Sequence, residues 1–248
     1  MAQSPNLPEG YRLIPLDTID STNSEALRRM NSGALAGDVI WARRQTAGRG
    51  RRGREWVSPE GNFFATLIVE APDERNMGQL AFVAALGAAQ ALDGAVPVPG
   101  LIKLKWPNDI LLNGKKLGGI LIERSDGGEH SNLVAVGIGV NVSETELEGS
   151  SCLQDIGVET PLPRLLELIC REFDNCLRQW RSDGFLPVRR AWLARAERLG
   201  EDIVVRYPDG RTDRGEFRGI DENGALELWR PDGTCETIAT GEVLVPAS

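Results

Sequence analysis

The segment Arg43–Arg54 places the strongest constraint on what this chain can fold into. It reads RRQTAGRGRRGR, with six arginines and no acidic residue. Like charges at this density repel one another, and the three glycines raise the entropy cost of fixing the backbone. The pattern therefore predicts an exposed loop that stays mobile until an anion neutralises it.

The remainder of the chain is acidic. The 248 residues carry a net charge of −8, so the chain without those six arginines carries −14. A pI near 4.9 argues against general nucleic-acid affinity. Hydrophobic residues make up 41%, typical of a globular protein, and no apolar run approaches the ~18 residues of a membrane span. The polar N-terminus lacks the apolar core of a secretory signal, which predicts a cytoplasmic protein without a membrane partner.

Only one histidine, His130, is present. A histidine-rich zinc site is therefore excluded, and a Ser-His-Asp triad is disfavoured. His130 lies in the polar sequence DGGEHS, which predicts an exposed loop. The four cysteines form no C-x-x-C pair, and a reducing compartment does not favour disulfides. Any catalysis must rely on arginine, lysine, carboxylates and backbone amides.

Hydrophobic periodicity and turn signals predict an α+β chain. Strands are expected at 13–16, 39–42, 63–69, 110–112, 117–122 and 133–142, with one more from Lys103 that Pro107 ends. Helices are expected at 22–30, 78–92, 162–180 and 187–199, the first opened by a capping box formed by Thr22 and Glu25. Short strands at 203–207, 212–220, 225–229 and 236–238 alternate with PDG and ENG turns. This change from alternating helices and strands to short strands and tight turns predicts two domains, a large one over 1–199 and a small β-barrel over 200–248.

Gly48, Gly50 and Gly53 match the dinucleotide fingerprint G-x-G-x-x-G. That motif must open a helix, whereas the sequence from Trp56 onward continues as an extended segment, so a Rossmann site is not expected. Arginine forks bind phosphate bidentately, and glycines let the backbone come close to it. The loop therefore suits a polyphosphate. The alternative is a solvated basic loop, or an electrostatic patch for a protein partner.

A second candidate site lies on the predicted strand near residue 140. Gly137, Gly139 and Asn141 share one face, because strand side chains alternate. Two glycines leave a flat floor that suits either close approach by a ligand or tight helix packing. Lys116 is either a cation beside a glycine patch or a solvent-facing lysine after the Asn-Gly turn. Asp109 either helps to hold Mg²⁺ or a ribose, or simply belongs to a turn.

Taken together, five motifs resemble those of the biotin protein ligases in their order. They are DSTNS at 20–24, QTAGRGRRGREW at 45–56, KWPND at 105–109, KLGGIL at 116–121 and GIGVN at 137–141. The β-rich segment after Gly200 is similar to the C-terminal SH3-like domain of that family. The resemblance implies a mixed β-sheet catalytic domain with packing helices, like that of class II aminoacyl-tRNA synthetases.

The resemblance also implies an activity, that of a biotin–[acetyl-CoA-carboxylase] ligase. Biotin and MgATP would give biotinyl-5′-adenylate and diphosphate, and the acyl group would pass to one lysine of a biotin carboxyl carrier protein or domain. A homodimer through the main sheet is suggested by the same likeness. Longer members of the family carry an N-terminal DNA-binding domain. Here only a short polar stretch precedes the first predicted strand, so a ligase without operator binding or another nucleic-acid partner is expected.

By the same resemblance, Lys116, Arg51 and Arg49 would be the catalytic residues. The residues expected to bind biotin or the nucleotide are Ser21, Thr22, Asn23, Gln45, Gly48, Arg49, Gly50, Arg51, Arg54, Trp56, Asn108, Asp109, Lys116, Gly119, Gly137 and Asn141. Ser21, Thr22 and Gln45 would bind the biotin head group. Trp56 would pack near the adenine, and Asp109 is the candidate ligand for Mg²⁺.

The residue types fit the chemistry of this reaction. Attack of a carboxylate on the α-phosphorus brings two anions together, and arginine and lysine offset that repulsion without a titrating base. Closure of the arginine loop would keep water from the mixed anhydride. Two alternatives remain open. A lipoate or octanoyl ligase of related fold would use the same adenylation, and a nucleic-acid-binding module would use the arginine loop alone.

Overall fold

The computed structural model describes residues 5–71, 77–124, 132–145 and 147–244. The helices are α1 (Thr22–Met30), α2 (Met77–Asp93), α3 (Leu162–Asp183) and α4 (Phe185–Leu193). The strands are β1 (Arg12–Ile19), β2 (Asp38–Gln45), β3 (Phe63–Glu70), β4 (Ile102–Lys105), β5 (Asp109–Leu112), β6 (Lys115–Arg124), β7 (Leu133–Val140), β8 (Asp202–Arg206), β9 (Thr212–Ile220), β10 (Leu226–Trp229), β11 (Cys235–Ile238) and β12 (Glu242–Leu244). The predicted α+β class is confirmed. His130 falls outside the described residues.

Seven strands form the main sheet, in the order β1-β2-β3-β7-β6-β5-β4. Only β1 and β2 pair in parallel, and the other neighbours are antiparallel, so the sheet is mixed. The alanine-rich helix α2 packs on one face of this sheet, and helix α3 packs against α2. Helix α1 covers part of the opposite face. The odd-numbered residues of β7 point toward α1, which places the glycine pair of that strand on the α1 side.

The C-terminal strands form a separate antiparallel sheet in the order β11-β10-β9-β8-β12. It packs on the main unit through buried apolar side chains of both sheets. Trp106 donates its indole N–H to the carbonyl of Gly224 at 3.0 Å, and the Gln79 amide donates to the carbonyl of Glu222 at 2.9 Å. These contacts fix the turn between β9 and β10 against the main unit, and Gly241, just before β12, also lies close to Trp106. Within the part of the chain that is described, no helix is long and apolar enough to cross a membrane.

The hairpin between β5 and β6 confirms the Asn-Gly turn that the sequence predicts. Asn113 and Gly114 have φ values of 50° and 74°, the left-handed pair that a tight antiparallel turn requires. A register shift follows between Ile110 and Leu111. The resulting pairing sets Asp109 opposite Gly119 and brings Lys116 back along β5. This short hairpin thus fixes a carboxylate and an ammonium group on neighbouring strands.

Three sequence-based expectations need correction. The N-cap of α1 is Ser21, whose side chain accepts from the amide of Ser24 at 3.4 Å, so Thr22 is the first helical residue and not the cap. The last predicted helix ends at Leu193 instead of residue 199, because the backbone at 195–197 pairs with the edge strand β4. That pairing covers an edge that would otherwise be open. The short strand β12 was not predicted.

Candidate active site

A cavity of about 350 Å³ opens on the α1 side of the main sheet. Strands β6 and β7 form its floor, the start of α1 forms one end wall, and the loop after β2 covers it. The turn between β4 and β5 and the segment near residue 148 close the other side, and Gly241 and Glu242 of the C-terminal sheet reach its rim. Elements from most of the chain therefore meet at one place.

The floor of the cavity is flat because three glycines face it. Gly119 on β6 pairs directly with Gly139 on β7, and Gly137 lies two residues further along β7. A Cβ atom added to Gly137 would lie 2.2 Å from Oδ1 of Asn23. A Cβ added to Gly139 would lie 2.9 Å from the indole of Trp56. Gly137 and Gly139 are thus required by close approach of side chains to the sheet.

A buried polar network forms the end wall beside α1. Thr22 donates its backbone N–H to Oε1 of Gln45 at 2.8 Å, and its hydroxyl is 3.1 Å from the same oxygen. The Gln45 amide donates onward to the hydroxyl of Ser58 at 2.8 Å. The hydroxyl of Thr66 is 2.8 Å from that of Thr22 and 2.6 Å from Oδ1 of Asn23. This chain of hydroxyl and amide groups fixes side chains that can both donate to and accept from a polar ligand.

Positive charge collects at the opposite side of the floor. Asp109 is 9% exposed and lies between two ammonium groups, 2.6 Å from Nζ of Lys116 and 3.1 Å from Nζ of Lys105. Arg51 donates to the side-chain oxygen of Asn108 at 3.0 Å. Burial and the nearby charge of Arg52 lower the pKa of Arg51, which still remains cationic. The three cations Arg51, Lys105 and Lys116 outnumber the carboxylate of Asp109 here, so this group of side chains is net positive, as an anionic ligand requires.

Arginines of the loop form ion pairs with acidic residues of other elements, since the segment 43–54 contains no acidic residue. Arg49 pairs with Glu123 at the end of β6 at 2.7 Å, and Arg54 pairs with Glu242 on β12 at 3.0 Å. Burial alone would raise the pKa of Glu242, but hydrogen bonds from Arg206 and Arg54 outweigh it and lower that pKa to about 2. The loop is therefore tethered at both ends to carboxylates from distant elements.

Trp56 follows the arginines and lies over the floor. Its ring spans Gly119 and Gly139, and the ammonium group of Lys116 is 5.5 Å from the ring centroid, within cation–π range. Among the residues that the structure describes, the buried indole N–H has no hydrogen-bond partner. A flat apolar surface beside the cations is well suited to stacking an aromatic base.

Most of the predicted site residues line this cavity. They are Ser21, Thr22, Asn23, Gln45, Arg49, Gly50, Arg51, Arg54, Trp56, Asn108, Asp109, Lys116, Gly119 and Gly137. Gly48 is not among them, because it packs against Ser58 instead of facing the cavity. A Cβ atom added to Gly48 would lie 2.4 Å from Oγ of Ser58. Asn141 is not either: its side chain is buried and donates to the carbonyl of Ser151 at 3.2 Å. The geometry therefore does not support direct ligand contact by Gly48 or Asn141, and the roles of the others stay predictions.

Several residues of the site were missed by the sequence argument. Thr66 and Ser58 complete the polar wall, while Glu123 and Glu242 hold the arginine loop. Gly139, whose face the strand alternation did predict, lies on the floor. The missed acids carry no local signal, since each lies in an ordinary strand pattern far along the chain from its arginine.

Asp109 does not fit the role of a resident magnesium ligand. Its two carboxylate oxygens each face a lysine ammonium group, Oδ1 that of Lys116 and Oδ2 that of Lys105. Nor do the described ranges contain any group of three His, Cys, Asp or Glu side chains placed to hold a metal ion. A dication at this carboxylate would have to displace two ammonium groups already paired with it.

Comparison with known proteins gives a consistent result. The profile of the Biotin/lipoate A/B protein ligase family matches residues 16–141, and that of the Biotin protein ligase C terminal domain matches residues 199–245. A biotin–[acetyl-CoA-carboxylase] ligase from Paracoccus denitrificans is 42% identical over 234 residues, covering 90% of this chain and 96% of the relative. The bifunctional ligase/repressor BirA of Escherichia coli is 31% identical and covers 95% of this chain, which spans 74% of that protein.

A solved structure has the same architecture. The biotin protein ligase from Aquifex aeolicus in complex with biotin and ATP superposes with a TM-score of 0.81 at 27% identity, covering 94% of this chain and 97% of that one. The sequence matches extend over both sheets, and the fold agrees over nearly the full length. The chain therefore belongs to the biotin protein ligase family.

Proposed function

We propose that this protein activates biotin with ATP as biotinyl-5′-adenylate and transfers the biotinyl group to one lysine of a biotin carboxyl carrier protein. One observation carries the proposal. The cavity joins a buried hydroxyl and amide wall at Thr22 and Gln45 to a cationic region at Lys116 and Arg51, across one glycine floor. A polar head group at one end and an activated carboxylate at the other would match this polarity.

In the first step a carboxylate oxygen of biotin attacks the α-phosphorus of ATP. The bond from that phosphorus to the bridging oxygen breaks, and diphosphate leaves. Lys116 and Arg51 would offset the charge of the two reacting anions and of the transferring phosphoryl group, which supplies most of the stabilisation in such reactions. Arg49 and Arg54 would hold the loop over the adenylate and limit its hydrolysis.

In the second step the ε-amine of the carrier lysine attacks the acyl carbon. The bond from that carbon to the adenylate oxygen breaks, AMP leaves, and the amine loses a proton. Gly241 and Glu242 of the C-terminal sheet lie at the rim of the cavity, so this sheet would be close to either the bound nucleotide or the incoming carrier. Mg²⁺ is expected to enter bound to the phosphates of ATP, a mode that needs few protein carboxylates.

The proposal includes a cytoplasmic location, where ATP and carboxylases occur, and no nucleic-acid or membrane partner. The free thiols of all four cysteines agree with a reducing compartment. A homodimer through the main sheet, and the division of the chain into domains 1–199 and 200–248, belong to the proposal as well. The second family profile begins at residue 199, which supports that boundary.

Mass spectrometry of a carrier domain tests the function directly. Incubation with this protein, biotin and MgATP is expected to add one biotinyl group to one lysine, and an unmodified carrier would refute the proposal. Calorimetry with biotin and with lipoate separates the nearest alternative. The polar wall at Thr22, Gln45 and Ser58 favours a head group that hydrogen-bonds over a dithiolane or an alkyl chain. Tight binding of lipoate without binding of biotin would reverse the assignment.

A further inference from the structure

Glu123 holds two parts of the cavity together without lining it. Its Oε2 atom accepts from Nη2 of Arg49 at 2.7 Å and from Nδ2 of Asn23 at 2.9 Å. Arg49 belongs to the covering loop, and Asn23 belongs to the end wall. The Glu123 side chain is 24% exposed, against 41% for Arg49. One carboxylate oxygen thus joins the cover of the cavity to its wall.

Asn23 is fixed on every side by this arrangement. Its Oδ1 atom accepts from the hydroxyl of Thr66 at 2.6 Å, and its Nδ2 atom also donates to the carbonyl of Leu121 at 3.3 Å. The same Oδ1 atom lies against the bare backbone of Gly137. Movement of Glu123 would therefore disturb both the wall and the floor beside it.

A β-bridge to Glu55 holds the backbone of Arg49, but it does not fix the side chain. A long arginine side chain loses substantial rotamer entropy when it is held in one place, so it needs a partner of its own. A charge-assisted hydrogen bond supplies that restraint. A guanidinium group has five N–H donors, so one bond to Glu123 leaves donors available to a phosphate.

We infer that Glu123 is a positioning residue that holds Arg49 over the bound acyl-adenylate and Asn23 in the wall of the same cavity. This inference rests on the proposed function. It predicts that Glu123 governs how long the intermediate is retained, more than how fast it forms. Loss of its charge leaves an acceptor for Asn23 in place and reduces the bond to Arg49 from a salt bridge to an ordinary hydrogen bond.

The test measures release of the acyl-adenylate from four proteins: wild type, E123Q, R49Q and the double variant R49Q/E123Q. Each protein is loaded with biotin and with ATP radiolabelled on its α-phosphate. Unlabelled ATP is then added in excess, and the half-life of the bound, labelled acyl-adenylate is measured. E123Q is expected to shorten the half-life by up to about fivefold, because a partly exposed ion pair contributes no more than about 1 kcal/mol. Its Kd for biotin alone is expected to stay within about twofold, because the glutamine oxygen still accepts from Asn23.

The double variant separates positioning from a general structural effect. If Glu123 acts through Arg49, adding E123Q to R49Q changes the half-life by less than about twofold. If the double variant instead shortened the half-life by the product of the two single effects, the inference would be overturned. A wild-type half-life in E123Q would overturn it as well. The matched control is E60Q, which removes the acid of the exposed Arg43–Glu60 pair next to the loop and is expected to leave the half-life unchanged.

Two further outcomes are informative. If E123Q lost its cooperative thermal transition, R49Q would test the same contact from the loop side, and a wild-type half-life there would overturn the inference. If the wild-type protein formed no acyl-adenylate at all, the proposed function would fall and the inference with it. An intermediate that forms normally and is retained equally well by E123Q would overturn the inference alone.

Discussion

Substitution of Gly137 by alanine is the sharpest test of the floor. The new Cβ atom would lie 2.2 Å from Oδ1 and 2.9 Å from Cγ of Asn23, well inside van der Waals contact. The sheet cannot retreat, because Gly137 is paired with both neighbours, Thr66 on β3 and Leu121 on β6. Asn23 must therefore leave its position.

The expected loss of stability follows from the hydrogen bonds of Asn23. Its side chain makes three, with Leu121, Glu123 and Thr66. At about 1 kcal/mol each, their loss amounts to about 3 kcal/mol. Replacing glycine by alanine within a strand returns roughly 0.5–1 kcal/mol through backbone entropy. The net destabilisation is about 2 kcal/mol, which lowers the melting temperature of a protein of this size by roughly 4–8 °C.

Gly139→Ala is the matched control on the same strand and the same face. There the Cβ atom would meet the ring of Trp56 at 2.9 Å, and that ring belongs to a loop residue. Movement of the indole breaks no hydrogen bond within the described ranges, because its N–H has no partner there. Gly139→Ala is therefore expected to lose less than about 1 kcal/mol of stability.

Differential scanning calorimetry and biotin titration measure both variants. Gly137→Ala is expected to melt several degrees below Gly139→Ala and to bind biotin at least about tenfold more weakly than wild type, because the wall of the cavity has moved. If Gly137→Ala melted at the wild-type temperature and bound biotin normally, the argument from close approach would be refuted.

Three other predictions concern the charged groups. Lys116→Ala and Arg51→Ala are each expected to reduce ATP–pyrophosphate exchange by about 100-fold or more with the thermal transition retained, and a wild-type exchange rate in either would contradict its role. Glu242→Gln is expected to destabilise the protein at pH 7. In wild type the folded pKa of Glu242 is about 2, below its ordinary 4.5, so the stability it contributes is present above pH 4.5 and is lost as pH falls toward 2. The difference in unfolding free energy between wild type and variant, measured by denaturant melts, should narrow between pH 4.5 and pH 2. A difference that stays constant with pH would count against the ion pairs of Glu242. Backbone amides at 48–54 are expected to exchange more slowly with biotin and ATP than without them, and equal exchange in both states would argue against closure of the loop.

Features that depend on local backbone chemistry were predictable from the sequence. Asn113 and Gly114 adopt the turn that their residue types favour, and Lys116 falls beside Asp109 as a consequence. The glycines of β7 face the cavity because strand alternation holds as far as the strand runs. Short-range rules sufficed for these because the interacting residues are close along the chain.

Asn141 shows where the same rule fails. Alternation places it on the face of Gly139, but β7 ends at Val140. Beyond that point the chain turns, and the amide of Asn141 satisfies the carbonyl of Ser151 in the buried segment behind Lys116. A period of two predicts a direction only while the strand continues, and the end of a strand is the least predictable part of it.

The acids that hold the arginine loop could not have been identified from the sequence. Glu123 lies 74 residues from Arg49, and Glu242 lies 188 residues from Arg54. Which carboxylate meets which guanidinium is decided by the sheet order and by the packing of the C-terminal sheet on the main one. The twelve residues of the segment 43–54 contain no information about the sheet order or about that packing.

The strengths of these ion pairs reconcile the predicted mobility with the observed order. Arg49 and Arg54 are 41% and 56% exposed, so each pair is expected to contribute no more than about 1 kcal/mol. Tethers of that size can hold a loop near a cavity without locking it there. An incoming phosphate can then draw on the same guanidinium groups, because each has donors to spare. A strongly buried pair would have kept the loop shut, and a loop with no acids would have had to be ordered entirely by its ligand. Under the proposed function, weak pairs to separate elements would let a ligand of modest affinity complete the closure of the loop.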